Sequence, residues 1–335
     1  MPPSNAYDSL AALIFGGLKM PALLRAPSRE YRTMIMDSHR WNDFKPRAGD
    51  VIVATYPKCG TTWTQRIVDL LIFQSPAPRP IMETAPWLDA TFFAALDADL
   101  ARLESQTHRR SIKSHLPLDS LPLYDGVKYI HVARDGRDAC WSFHNHQLGF
   151  KPEFMMQQLG PPPAGTPPRP PTPADPRDFF LAWLAQAEAD VTEGAGSDLP
   201  YCEFENTYWS ERKRPNLLCV HYNDLKADLG GEMRRISRFL EIDTPESLMP
   251  QLVQAATFEN MKAQGEALLP DLRQSFDTGS ERFLNKGTNG RWKDVLTPDD
   301  LARYDALIRR KLSPSAARWL EHGRLIAGDP ATLAD

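Results

Sequence analysis

The stretch Asp50-Val51-Ile52-Val53-Ala54-Thr55-Tyr56-Pro57-Lys58-Cys59-Gly60-Thr61-Thr62-Trp63 decides the fold. Its first half, Asp50–Tyr56, is a short β-branched run, the pattern of a buried parallel strand. Pro57 and Gly60 break that run, and from Thr62 to Phe73 the apolar residues recur at helical spacing. Thr61 or Thr62 is the expected N-cap. A strand that turns at once into a helix presents unpaired N–H groups and the positive end of the helix dipole at the turn, which makes a cradle for an anion. Gly60 permits close backbone approach, Lys58 adds charge, and the two Thr hydroxyls add donors. The order differs from the nucleotide-triphosphatase loop GxxxxGK[ST], because Lys58 precedes the glycine and flanks the outer side of a phosphate.

Working outward, Val127–Ala133 and Leu217–Tyr222 are two further strand-like runs, succeeded by helical patterns over Arg137–Gln147 and Asp224–Leu240. Phe179–Val191 and Pro298–Leu312 complete the helical candidates. Strands alternating with helices imply an α/β fold, a single domain with a mainly parallel central sheet flanked by helices and a P-loop-like strand–loop–helix at its heart. Residues 1–48 are read as a peripheral N-terminal segment, 49–325 as the domain, and 326–335 as a C-terminal tail. Within 160–176, nine of seventeen positions are proline, so that stretch is an extended surface insertion.

Composition agrees with an enzyme-sized globular body: 335 residues, 42% hydrophobic and 24% charged. The formal net charge of −4 lacks the basic excess of nucleic-acid binders, so any phosphate site is local. The four cysteines, Cys59, Cys140, Cys202 and Cys219, form neither a CxxC pair nor a zinc spacing, which fits a reduced interior. The longest apolar run, Leu10–Leu18, is too short to span a bilayer and lacks the basic flank and cleavage pattern of a signal peptide. A cytoplasmic protein with no transmembrane segment is expected.

Thr55–Trp63 resembles the 5′-phosphosulfate loop of the cytosolic-type sulfotransferase family, and the chain is expected to be a bacterial member. Three further segments come in the family's order. Lys128–Asp138 with Ser142 resembles the 3′-phosphate segment, which implies that Arg134 and Ser142 bind there; an Arg at a strand end with a Ser one helix-length on suits a terminal phosphate. Phe283–Lys293 is similar to the family's RKGxxGxWK loop, with Asn285 in place of the usual Arg and Arg291 in place of a common acidic residue. Ala256–Lys262 resembles TSFxxMK, with Ala256 where a donor-binding Thr is usual. The resemblance implies 3′-phosphoadenosine 5′-phosphosulfate as co-substrate, without a metal. Lys58, Cys59, Gly60, Thr61, Thr62, Trp63, Arg134, Ser142, Tyr222, Thr257, Phe258, Asn285, Lys286 and Gly287 are then the donor-binding positions, with Trp63 and Phe258 stacking on adenine.

Ile112–Pro117 resembles the family's KTHLP, which makes His115 the general base and Lys58 and Lys113 the cations that stabilise the leaving phosphate. A neutral imidazole suits proton removal from an alcohol near pH 7, and sulfuryl transfer, like phosphoryl transfer, rests on positioning and electrostatics. Cys59 is read as a backbone-donating bystander and His131 as core. His144 and His146 face either acceptor pocket or solvent, with a structural role preferred. The acceptor is a hydroxyl of a small molecule or glycolipid, in a pocket built from Ala85–Leu88, 143–176 and 265–276, with Trp87, Phe143 and Phe150 as apolar lining. Lys293–Pro298 partly resembles the family's dimer segment, and a homodimer is left open. The alternatives are a P-loop kinase or nucleotidase, against which the missing GxxxxGK[ST] counts, and a nucleotide-binding module that has lost catalysis, against which His115, Lys58 and Lys113 count.

Overall fold

Val51–Ala54 forms β1, the strand on which the rest of the sheet is hung. It is flanked by β2 (Ser111–Ser114) and β3 (Lys128–Ala133), and β4 (Leu217–His221) extends the sheet beyond β3. The order is β2-β1-β3-β4 and every pairing is parallel. The computed structural model describes residues 20–160, 171–189 and 199–335. The Leu10–Leu18 run, most of the proline-rich stretch and Val191 lie outside the described residues.

Side-chain alternation sends the two halves of each strand to opposite layers. Val51, Val53, Ile130, Val132 and Val220 pack against the helix α1 (Thr61–Phe73) through Ile67, Val68, Leu70 and Leu71, with the helices Leu229–Phe239 and Met249–Ala256 closing that layer. Ile52, Ala54, Tyr129 and Ala133 face the other way, onto Tyr201, Phe204 and Tyr208 of the helix Tyr201–Trp209. Because both of its faces are covered, β1 reads as an unbroken apolar run.

At the amino edge of the sheet, Arg110 and Asp50 pin the starts of β2 and β1 together. The guanidinium donates to both Asp50 carboxylate oxygens, at 2.9 and 2.5 Å, and both side chains are buried.

Several expectations change. The helix read over 224–240 is two, α-helical from Tyr222 to Ala227 and again from Leu229 to Phe239, because Asp228 leaves helical geometry and its carboxylate caps the second by accepting from Gly231 N–H. Part of the segment read as peripheral is core: Tyr31, Met36, Trp41 and Phe44 are buried, and Leu23–Arg25 pairs with Leu123–Tyr124. The tail is held as well, since Arg212 donates to the carbonyls of Pro330 and Leu333.

Ile130 is fully buried on the central strand β3. Ile130→Ala is expected to lower stability by about 2–5 kcal/mol, seen as a lower urea midpoint at unchanged slope.

Candidate active site

Parallel strands all finish on one side of a sheet, and here the residues just past each end carry the chemistry. Thr55 comes after β1, His115 after β2, Arg134 after β3 and Tyr222 after β4. Ala54 sits level with Ser114 on one side and His131 on the other, so the first two of these residues emerge side by side. The crevice beyond the carboxyl ends of parallel strands is where α/β folds bind ligands.

The loop from β1 to α1 is bent by two left-handed residues, Lys58 at φ 69° and Gly60 at φ 112°. A Cβ at Gly60 would stand 3.0 Å from the Tyr222 ring, so glycine is required by both conformation and space. Neither Thr61 nor Thr62 caps α1; the N-cap is Gly60, with no side-chain bond. Thr61 instead shares a 2.6 Å hydrogen bond with Thr55, which ties the helix start to the strand end. The first-turn N–H groups are thereby left without a side-chain partner, as an anion site needs.

The loop opens on a cavity of about 710 Å³ lined by Lys58, Lys113, His115 and His146 among others. His115 Nδ1 lies 2.8 Å from the Thr55 carbonyl oxygen, which can only accept, so Nδ1 carries the proton and Nε2 keeps its lone pair. Asp89 accepts from the His115 backbone N–H at 3.1 Å and from the Trp87 indole at 2.7 Å, which ties the His115 backbone to Trp87. Burial, reinforced by the nearby Lys113 and Lys58 charges, pushes the His115 pKa well below the ordinary histidine range, so the ring is neutral.

The two lysines come from different elements, Lys58 from the loop after β1 and Lys113 from β2. Lys113 Nζ stands 3.9 Å over the Trp87 ring, and burial brings its pKa down to about 8. Lys58 Nζ stands 4.3 Å over the Phe283 ring and 3.4 Å from His146 Nδ1. Burial first, then Lys113 and Arg134, bring the Lys58 pKa to about 7. Among the described residues neither lysine forms an ion pair, although Asp89 is near enough to Lys113 to favour its charge.

Toward the other end of the cavity lie Trp63, Arg134, Ser142, Tyr222, Phe258 and the loop residues Asn285, Lys286 and Gly287. The Trp63 indole donates to the Ala256 carbonyl at 2.7 Å and its ring meets Tyr222 edge-on. Arg134 lies 4.2 Å over the Tyr222 ring. Gly287 has φ 63° and a Cβ there would fall 2.8 Å from the Phe258 ring, while its carbonyl accepts from Lys226 at 2.7 Å. Lys226, which no sequence motif singles out, thus pins this loop. Two expected donor positions do not present their side chains to the cavity. The Cys59 side chain is buried and burial pushes its thiol pKa up, and Thr257 caps the helix Phe258–Ala263 while donating to the Gln254 carbonyl.

Trp87, Phe92, Phe93, Phe143, Phe150 and Phe154 line the remaining, apolar end. His146 belongs to this wall, contrary to the structural role preferred for it. It lies four residues after Ser142 on the helix α2 (Gly136–Gly149), hence on the same face, a spacing that was readable in the sequence. Burial and the Lys58 charge keep its ring neutral. His144 is structural, with Nε2 donating to the Pro173 carbonyl at 2.8 Å, and His131 is core, 2.8 Å from Glu205 and stacked on Tyr208. Among the described residues no group of three or more His, Cys, Asp or Glu is placed to hold a metal ion, and no helix is long and apolar enough to cross a membrane.

A glycine-bent strand–loop–helix, a neutral histidine, two buried lysines and an apolar annex come together in one cavity, the make-up of a group-transfer site. Residues 48–316 match the sulfotransferase domain family, and the chain belongs to that family. A glycolipid sulfotransferase of Mycobacterium bovis is 32% identical over 312 residues, covering 88% of this chain and 94% of the relative. Sulfotransferase 1B1 of Mus musculus is 27% identical, covering 82% and 86% of the two chains. In fold, the chain is similar to retinol dehydratase in complex with androsterone and the inactive cofactor PAP, with a TM-score of 0.63, 24% identity, and 82% of this chain and 84% of that one covered.

Gly60→Ala forces a strained φ and a contact with Tyr222. It is expected to weaken binding of adenosine 3′,5′-bisphosphate at least roughly tenfold and to lower the melting temperature by several degrees, checked by calorimetry and thermal unfolding.

Proposed function

We propose that this sulfotransferase takes its sulfuryl group from 3′-phosphoadenosine 5′-phosphosulfate and delivers it to a hydroxyl of a small-molecule or glycolipid acceptor. The observation that carries this reading is the His115 tautomer: a neutral ring with Nδ1 committed to the Thr55 carbonyl and Nε2 basic, between Lys58 and Lys113. The donor brings an activated sulfuryl group on a phosphate leaving group. Nε2 of His115 takes the acceptor's hydroxyl proton, and the imidazolium formed is stabilised by the Thr55 carbonyl. Lys58 and the first-turn N–H groups of α1 hold the 5′-phosphate end and meet the charge that grows there. Lys113 supplies the second cation from the neighbouring strand. Trp63, Tyr222 and Phe258 provide flat walls for adenine. The cavity's aromatic end excludes water and receives the apolar body of the acceptor. Support for a lipid acceptor comes from the mycobacterial glycolipid sulfotransferase relative and from the row of Phe92, Phe93, Phe150 and Phe154.

Incubation with labelled phosphosulfate donor and a panel of phenols, sterols, sugars and glycolipids is expected to give transfer to at least one hydroxyl. His115→Ala is expected to reduce kcat by roughly 10²–10⁴-fold with donor affinity preserved. Donor binding with no transfer to any acceptor would sink the proposal.

The lysines set a pH dependence. Because their pKa values lie near 7 and 8 in the free protein, each loses its charge as pH rises through those values, and a bound dianion raises both. Bisphosphate binding is therefore expected to take up protons between pH 7 and 9, and its affinity to fall at least roughly tenfold over that span. Phosphate monoesters are already dianionic above about pH 7, so the trend reports the protein. Calorimetry in buffers of different ionisation enthalpy measures it; affinity rising with pH would contradict the assignment.

A further inference from the structure

Arg291 presents a guanidinium that the fold leaves unpaired. It lines the cavity, its Nε is sealed from solvent with no hydrogen-bond partner, and among the described residues no hydrogen bond or ion pair reaches any part of it. An unsatisfied buried donor on a charged group costs stability, and a partner arriving from outside would relieve that cost. Its neighbourhood shows what kind. Arg134 approaches the same loop, donating to Asn289 Oδ1 at 3.1 and 2.6 Å and to the Thr288 carbonyl at 3.3 Å, all neutral acceptors. Among the described residues no carboxylate is paired with Arg134 either. The nearby acidic group, Asp138, spends one oxygen on the Gly290 N–H at 2.7 Å and makes no ion pair with either arginine. The loop is thus stapled at residues 288–290 to Arg134 and to the first turn of α2, which holds the two guanidiniums on one wall. Burial first, and then the Arg134 charge, make the Arg291 cation costly in the free protein. Ser142, from the same helix, and Lys286, from the same loop, line the same cavity and add donors.

We infer that Arg291, together with Arg134, forms a binding site for a phosphate monoester dianion, and that this site takes the 3′-phosphate of the nucleotide donor in place of the cation absent at Asn285. The assignment rests on the donor named above. Two forks meeting one phosphate provide charge and directed N–H bonds, which a solitary lysine cannot match.

Binding of adenosine 3′,5′-bisphosphate and of adenosine 5′-monophosphate to the whole protein separates the possibilities. Wild type is expected to prefer the bisphosphate. Arg291→Gln is expected to lose roughly 10- to 100-fold in bisphosphate affinity while its 5′-monophosphate affinity stays unchanged, which also reports that the variant is folded. Arg291→Lys, keeping charge without the fork, should fall between. An Arg291→Gln variant that keeps the full bisphosphate preference overturns the inference and leaves the donor reading standing. A wild type that binds neither nucleotide overturns both.

Discussion

The parallel register of β1, β2 and β3 is the constraint on which the site depends. Backbone hydrogen bonds hold Ala54 level with Ser114 and with His131, so the chain leaves the sheet at Thr55 and at His115 within one hydrogen bond of itself. The 2.8 Å bond from His115 Nδ1 to the Thr55 carbonyl is a continuation of that ladder by a side chain. It fixes the tautomer, orients the ring, and turns Nε2 into the one basic nitrogen of the pair. A slip of one residue in either pairing would reverse the faces of a whole strand and separate these groups.

Electrostatics then completes what the backbone begins. Lys58 arrives from the loop after β1 and Lys113 from β2 itself, each is packed over an aromatic ring, and among the described residues neither forms an ion pair. Desolvation makes both cations costly in the free protein, with repulsion from Lys113 adding to the cost at Lys58, and a bound dianion relieves it. The same reasoning applies at the far end, where Arg134 and Arg291 share a wall. Such stored repulsion is how a chain of net charge −4 concentrates positive potential in one crevice.

Much of this was readable in the chain. The β-branched run to Ala54, the Pro57 and Gly60 break and the helical periodicity after it are local signals, and they specify a strand–loop–helix whatever surrounds it. Short strands between helices foretold the parallel sheet. The errors have physical causes. Thr61 has a capping side chain, but the nearby Thr55 hydroxyl competes for it and wins. Asp228 breaks a helix whose apolar periodicity continues through it, because its carboxylate caps the next helix, Leu229–Phe239. Trp41 and Phe44 lie in a polar, proline-broken stretch and are core only because the sheet has a hydrophobic layer to receive them.

By itself, then, the sequence determined the strand–loop–helix around Gly60 and the alternation of strands with helices, since these depend on residues close together in the chain, and it offered His115 as candidate base through the resemblance of Ile112–Pro117 to a family motif. Tertiary structure alone decided which nitrogen of His115 is basic, that His146 reaches Lys58, that Cys59 and Thr257 turn away, and that Arg291 stands unpaired beside Arg134. Those facts depend on where side chains from separate elements converge. That is set by strand register and by which charges are shut away from water, neither of which a linear pattern records.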